Sequence, residues 1–269
     1  ASTAPSVAGI VASVDGTLAQ WPAEIRVQGA RQEMVADLET LLAGRLQHWR
    51  KLNKSLPENI IVYRDGVSEG QYNKVIDEEL PLLQEACKKT YPADQTKKGL
   101  PRLAIVVVGK RHNTSPNKEQ DSNRENPIPG TVVDRGVSEP RDWDFFLQAH
   151  SALQGTARPA HYFTVWDEIF YPRYPANSGG PGAADVLQDL THKMCYIFGR
   201  ATKAVSVCPP AYYADLVCTR ARCFLSDLFD PLPVDSTAGS TSGTEGAADM
   251  NRRDDVNIHP NIAETMFYI

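Results

Sequence analysis

Short β-branched runs alternate along this chain with longer segments whose apolar residues recur at helical spacing, the pattern of an α/β fold. Residues 7–14 and 24–27 read as two strands joined through Asp15 and Gly16, paired antiparallel. From Arg31 the period changes: Met34, Leu38, Leu41, Leu42 and Trp49 share one helical face, and Pro57 closes the loop after it. Ile60, Ile61 and Val62 then form a strand that ends on Asp65, and a helix follows over residues 69–89, with the spacing of a capping box at Ser68 and Gln71. Pro81 inside that helix predicts a kink or a new start. Residues 103–108 are apolar without interruption, as a strand covered on both faces must be. The pattern further predicts a short helix at 142–149, a strand at 161–165, a helix at 184–200, a strand at 204–207 and a helix at 210–228.

Three tracts break this alternation. Residues 113–130 are polar and contain prolines, 172–182 are rich in Pro, Gly, Asn and Ser, and 231–255 are mostly Ser, Thr, Gly, Ala and acids. Such compositions bury too little apolar surface to offset the entropy of ordering, so flexible segments are expected there. The last residues turn apolar again at Ile262, Met266, Phe267, Tyr268 and Ile269, which predicts that the terminus docks back on the body. With no boundary separating two cores, residues 1–269 read as one domain.

With 269 residues of which 42% are hydrophobic, the chain can bury a sizeable core. No run approaches the roughly 20 apolar residues that span a bilayer, so no membrane partner is expected, and no secretory signal is visible. Ala1 in place of Met suggests a piece of a longer protein. Five cysteines without metal-ligand spacing read as free thiols of a reducing compartment, which points to the cytoplasm. A net charge of −5 argues against indiscriminate nucleic-acid binding. Locally, however, Lys193, Arg200, Lys203, Arg220 and Arg222 are opposed only by Asp215 between residues 192 and 222. That excess fits either a phosphate backbone or a solvated helix face.

Particular strings sharpen the picture. Tyr63-Arg64-Asp65-Gly66-Val67-Ser68-Glu69-Gly70-Gln71, residues 150–162 and residues 209–222 occur in the order and form of the PIWI domain of eukaryotic Argonaute proteins, with fungal-like character. Arg31-Gln32-Glu33, Lys110-Arg111-His112 and the ending Thr265-Met266-Phe267-Tyr268-Ile269 extend the resemblance over nearly the whole chain. It implies a ribonuclease-H-like fold, a mixed central sheet flanked by helices, whose first strand lies upstream of this fragment.

The resemblance also implies a guide-directed endonuclease, cleaving guide-paired target RNA in RNA silencing with two Mg²⁺ ions, or Mn²⁺ in their place. Hard oxygen donors suit such ions, which polarise the attacking and leaving oxygens. The matching residues are Glu33, Asp65 and Asp215, with Asp65 and Asp215 as direct metal ligands; many members of the family carry histidine where this chain has Asp215. The family's first catalytic aspartate has no counterpart here, so the fragment alone is expected not to cleave. Guide-RNA contacts carried over are Lys110, Arg111, His150, Arg158, Arg200, Lys203, Ser206 and Tyr212, and Arg220 with the Ile269 carboxylate matches part of the guide 5′-phosphate pocket. Such contacts grip the backbone and leave sequence choice to base pairing. Small guide RNA, complementary target RNA, the other domains of the parent Argonaute and tryptophan-containing silencing proteins are the partners implied. The alternative is a module that holds guide RNA and recruits partners without cleaving.

Overall fold

The computed structural model describes residues 5–92, 99–110, 126–136, 138, 143–152, 155–175, 180–225, 256 and 258–269. Its spine is strand β4 (Arg102–Gly109), whose alternate side chains are buried on opposite faces. β4 pairs parallel with β3 (Asn59–Asp65) and antiparallel with β7 (Ala160–Asp167); β6 (Trp143–Gln148) and β5 (Thr131–Val133) complete a mixed sheet of order β3-β4-β7-β6-β5. A separate antiparallel pair joins β1 (Ser6–Val11) to β2 (Ala23–Gln28).

Each face of the large sheet carries its own apolar layer. Leu103, Ile105 and Val107 pack with α1 (Leu38–Asn53) and α3 (Leu80–Thr90), through Leu42, Leu46, Leu83 and Ala86. Ala104, Val106 and Val108 pack on the other side with Phe145, Tyr162 and Leu187, beneath α5 (Ala183–Met194) and α6 (Pro209–Phe224). This two-sided burial explains the unbroken apolar run, as expected for a central strand. A third cluster joins the β1–β2 pair to α6 and the C-terminal residues through Trp21, Ile25, Tyr213, Val217 and Tyr268.

Several elements differ from the sequence reading. Helix α1 starts at Leu38, because Arg31 has φ +62° and the Gln28 amide donates to the carbonyls of Gln32 (2.8 Å) and Met34 (3.2 Å), which satisfies them without a helix. The short helix expected at 142–149 is instead strand β6: both its faces are buried, one apolar through Trp143, Phe145 and Leu147 and the other mixed through Asp144, Phe146 and Gln148, and Phe145 sits opposite Tyr162. No strand forms at 204–207; Val205 donates its amide to Cys195 O (2.9 Å) within a connection between α5 and α6. The expected helix over 69–89 is a composite of a 3-10 turn (Glu69–Gln71), one α turn, α2 (Tyr72–Lys74), a π turn (Val75–Glu79) and α3. Pro81 falls in the first turn of α3, where its missing amide hydrogen matters little, and Ser68 makes no side-chain cap. Pro172 and Arg173 end α4 (Phe170–Arg173), while residues 113–125, 176–179 and 231–255 of the expected flexible tracts lie outside the described residues.

The terminus does dock. Tyr268 is buried, donates its hydroxyl to Trp21 O at 2.6 Å and meets Tyr213 edge-on, behind a short helix α7 (Pro260–Ala263). All five cysteines are free, and burial pushes the Cys87 thiol up to about 11 and that of Cys195 to about 12. Among the described residues, no helix is long and apolar enough to cross a membrane.

Candidate functional site

Asp65 is the last residue of β3, in register with Val108, and its Oδ1 accepts from the Gly66 amide at 2.7 Å. Strand alternation sends its neighbours to opposite faces. Tyr63 bonds Thr191 of α5 at 2.9 Å, whereas Arg64 enters the other layer and meets Glu79 of the π turn through Nε (2.8 Å to Oε2) and Nη2 (2.8 Å to Oε1). Glu79 is 2% exposed, and its Oε1 also accepts from the Val35 amide at 2.9 Å. The same guanidinium donates to the carbonyl of Glu33 (2.6 Å) and to that of Asp65. One partly buried arginine therefore ties the loop that carries Glu33 to the strand end that carries Asp65.

Asp215 arrives from α6. That helix lies against β1, β2 and β3, and the contact is so close at Gly9 that an added Cβ would stand 2.9 Å from Val217 Cγ1 and 3.2 Å from Ala214 O. Asp65 lies within electrostatic reach of the Cys208 thiol at the start of α6, and Asp215 and Arg64 both act on that of Cys218. Strand end and helix are thus neighbours. The three carboxylates nevertheless do not form a metal centre: among the described residues no three His, Cys, Asp or Glu side chains converge to hold an ion. The reason is local. Glu33 engages Arg64 by its carbonyl while its side chain lines an open polar recess of about 240 Å³ with Arg31, Gln32, Gln71, Lys74 and Glu78. Asp215 stands on the exposed side of α6. The donor chemistry is right for Mg²⁺, but the arrangement as it stands does not fit a two-ion site.

The basic residues gather better. Lys110 follows β4 directly and donates from Nζ to Ser206 Oγ at 2.7 Å, a residue 96 positions later. Loss of solvent and the Arg158 guanidinium hold the Lys110 ammonium below its usual pKa, and loss of solvent and Lys110 do the same to His150. Lys110, His150, Arg158 and Ser206, drawn from four segments, therefore share one neighbourhood. The fully buried Gln148 donates from Nε2 to His150 O (2.6 Å) and faces His150 Nδ1 at 3.3 Å. An amide donor at Nδ1 favours the tautomer with its proton on Nε2, free to donate to an oxygen.

The remaining positions are more dispersed. Arg200 and Lys203 are exposed on the connection that also supplies Ser206, and Tyr212 packs its ring 4.5 Å from that of Phe198. Arg111 lies outside the described residues. Arg220 sits over the Phe224 ring at 6.0 Å, while the Ile269 side chain lies by Gly199, 3.8 Å from where a Cβ would stand; among the described residues no ion pair joins Arg220 to the terminus. Sequence reading passed over Arg64 and Glu79. Strand alternation alone signals that Arg64 faces away from Asp65, but its partner, 15 residues on, depends on a π turn that no helical period announces.

Comparison with known proteins accounts for this arrangement. Residues 1–226 match the Piwi domain family. Protein argonaute MEL1 of Oryza sativa subsp. japonica is 36% identical over 99% of this chain, and the chain spans about a quarter of that relative's length (25%). The C-terminal lobe of a budding yeast Argonaute superposes with a TM-score of 0.78 at 31% identity, covering 100% of this chain and 51% of that one. Kluyveromyces polysporus Argonaute with a guide RNA gives 0.75 at 31% identity, covering 100% and 29%. A mixed sheet flanked by helices, the order of its motifs and these matches agree that the chain belongs to the Piwi domain family, in its eukaryotic Argonaute form.

Proposed function

We propose that this domain holds the backbone of a small guide RNA within a longer, cytoplasmic Argonaute that pairs the guide with target RNA in silencing. The observation that carries this reading is the meeting of Lys110, His150, Arg158 and Ser206 in one place. Burial first, and then the charge of Arg158 on Lys110 and of Lys110 on His150, lowers both pKa values, so the group carries some mutual repulsion. A phosphate placed among them relieves it and gains charge-assisted hydrogen bonds. Guide binding by the parent protein tests the reading: Lys110→Met is expected to weaken binding across all guide sequences and to lower the slope of log affinity against log salt by about one. An unchanged slope refutes a phosphate contact at Lys110. The other domains of the parent and tryptophan-containing silencing proteins remain the partners proposed by family membership.

A second reading adds Mg²⁺- or Mn²⁺-dependent cleavage of the paired target, with Glu33, Asp65 and Asp215 contributing. It is favoured by the shared anchoring of Glu33 and Asp65 on Arg64 and by the hard-oxygen chemistry of the three side chains. Such cleavage requires the three side chains to converge on the ions, which the present arrangement does not do; this chain's own part is to hold the acids on a strand end, a loop and a helix. Cleavage of a matched target by the parent protein, undiminished after Asp65→Ala, would sink this second reading and leave the first intact.

A further inference from the structure

We infer that Gln148 is a positioning residue: its buried amide holds the His150 ring by Nδ1, so that Nε2 carries the proton and is the edge offered to the guide backbone. This rests on the guide-holding function proposed above. Gln148 ends β6, stands opposite Thr131 of β5 and accepts the Gly130 amide at its carbonyl (2.8 Å), so its backbone is fixed by the ladder. Fully buried Ala149 leads from it to the partly exposed His150.

The direction of the amide follows from the His150 carbonyl. A carbonyl oxygen only accepts, so the Gln148 atom 2.6 Å from it is the amide nitrogen, and that nitrogen also lies 3.3 Å from Nδ1. Nδ1 thus meets an N–H and is the bare, accepting nitrogen of the ring. Protonating it would set two donors face to face. Gln148 is fully buried, and its Oε1 has no partner among the described residues, an omission that costs stability. Methionine would fill the same space without an unpaired oxygen. The fold therefore has little use for this amide, whereas His150 takes both contacts of its nitrogen. From other segments, Lys110 is the cation that acts on His150, Arg158 acts on Lys110, and the uncharged Ser206 accepts from Lys110.

The test uses the full-length Argonaute that contains this domain, with isotope-labelled histidine. Without guide, the neutral wild-type His150 is expected to show a bare Nδ1 and a protonated Nε2 by NMR; a proton on Nδ1 overturns the inference with no variant needed. Gln148→Met removes the donor facing Nδ1, and Gln148→Glu puts an acceptor there, so the His150 pKa should climb from wild type through Gln148→Met to Gln148→Glu. Any other order overturns the inference, because a side chain that only fills space has no reason to follow the hydrogen-bonding character at Nδ1. At about pH 8, where the imidazole is neutral, Gln148→Met is expected to bind a small RNA guide about two- to fivefold more weakly, since an untethered ring must be ordered on binding. That loss should vanish in a His150→Ala background. An equal loss there shows an effect through the fold and overturns the positioning role, as does no loss in either background. His150→Ala that binds guide as tightly as wild type overturns the guide-holding reading at this residue, whatever the titrations show.

Discussion

The acidic edge and the basic cluster lie at the exits of adjacent parallel strands, β3 and β4, and they are built in opposite ways. At the acidic edge the backbone is held and the carboxylates are left apart: Arg64 grips carbonyls of Glu33 and Asp65 while the side chains of Glu33, Asp65 and Asp215 do not meet. In the basic cluster the side chains themselves gather, and burial first, with the neighbouring cations second, holds the Lys110 and His150 pKa values down. An anion placed there would offset both the lost solvation and the repulsion between the cations. The acids are organised through their backbone instead. They depend on a buried ion pair on the far side of the sheet to keep their loops in place, and that dependence makes the two regions separable by mutation.

The largest expected effect breaks the acidic edge alone. Glu79→Ala leaves the Arg64 guanidinium buried without its carboxylate and the Val35 amide without an acceptor, a change that typically costs about 3–5 kcal/mol. Chemical denaturation measures it, and a loss under 1 kcal/mol would show that water replaces the carboxylate and that the loop needs no clamp. A smaller effect sharpens the other side of the comparison. Because His150 has a lowered pKa in the fold, its contribution to stability is present above its unfolded value near 6.5 and is lost as pH falls below that. A bound phosphate should reverse the sign at this residue, raising the His150 pKa and drawing a proton in, so guide affinity should rise as pH drops from 7.5 toward 6. Following the His150 ring by NMR, with and without guide RNA, reads both; a pKa that falls on binding would rule out a phosphate beside the imidazole.

How far the sequence foretold this arrangement depends on how local each feature is. β3 ends on Asp65 as the β-branched run required, and Leu103 to Val108 form an interior strand covered on both faces, as their unbroken apolar run required. β6 was misread since its partners, not its own pattern, make it a strand: Trp143, Phe145 and Leu147 pack on one face while Asp144 is buried on the other against His161, 2.7 Å away. Residues 204–207 have strand propensity but pair with no strand among the described residues, so Ser206 reaches Lys110 from an irregular connection. For the site, family strings named residues that proximity then sorted. Of the eight guide contacts they implied, Lys110, His150, Arg158 and Ser206 lie together, and no string could report that Glu33 turns its carbonyl inward. The orientation of a side chain on a loop is set by contacts far along the chain, and no short string records those.

The π turn at Val75–Glu79 carries a consequence for how this fold tolerates changes in length. Such a turn holds one residue more than an α-helical turn, and a single residue rotates a helix by about 100°. Deleting one of residues 75–78 would let the segment relax into a regular helix, and with α3 still seated on its apolar layer the chain before the turn would fall out of phase with it, straining the approach of Glu79 to the strand. The surplus residue acts as a phase adjuster, reconciling where α3 must face to bury its leucines with where an acid must point to reach Arg64.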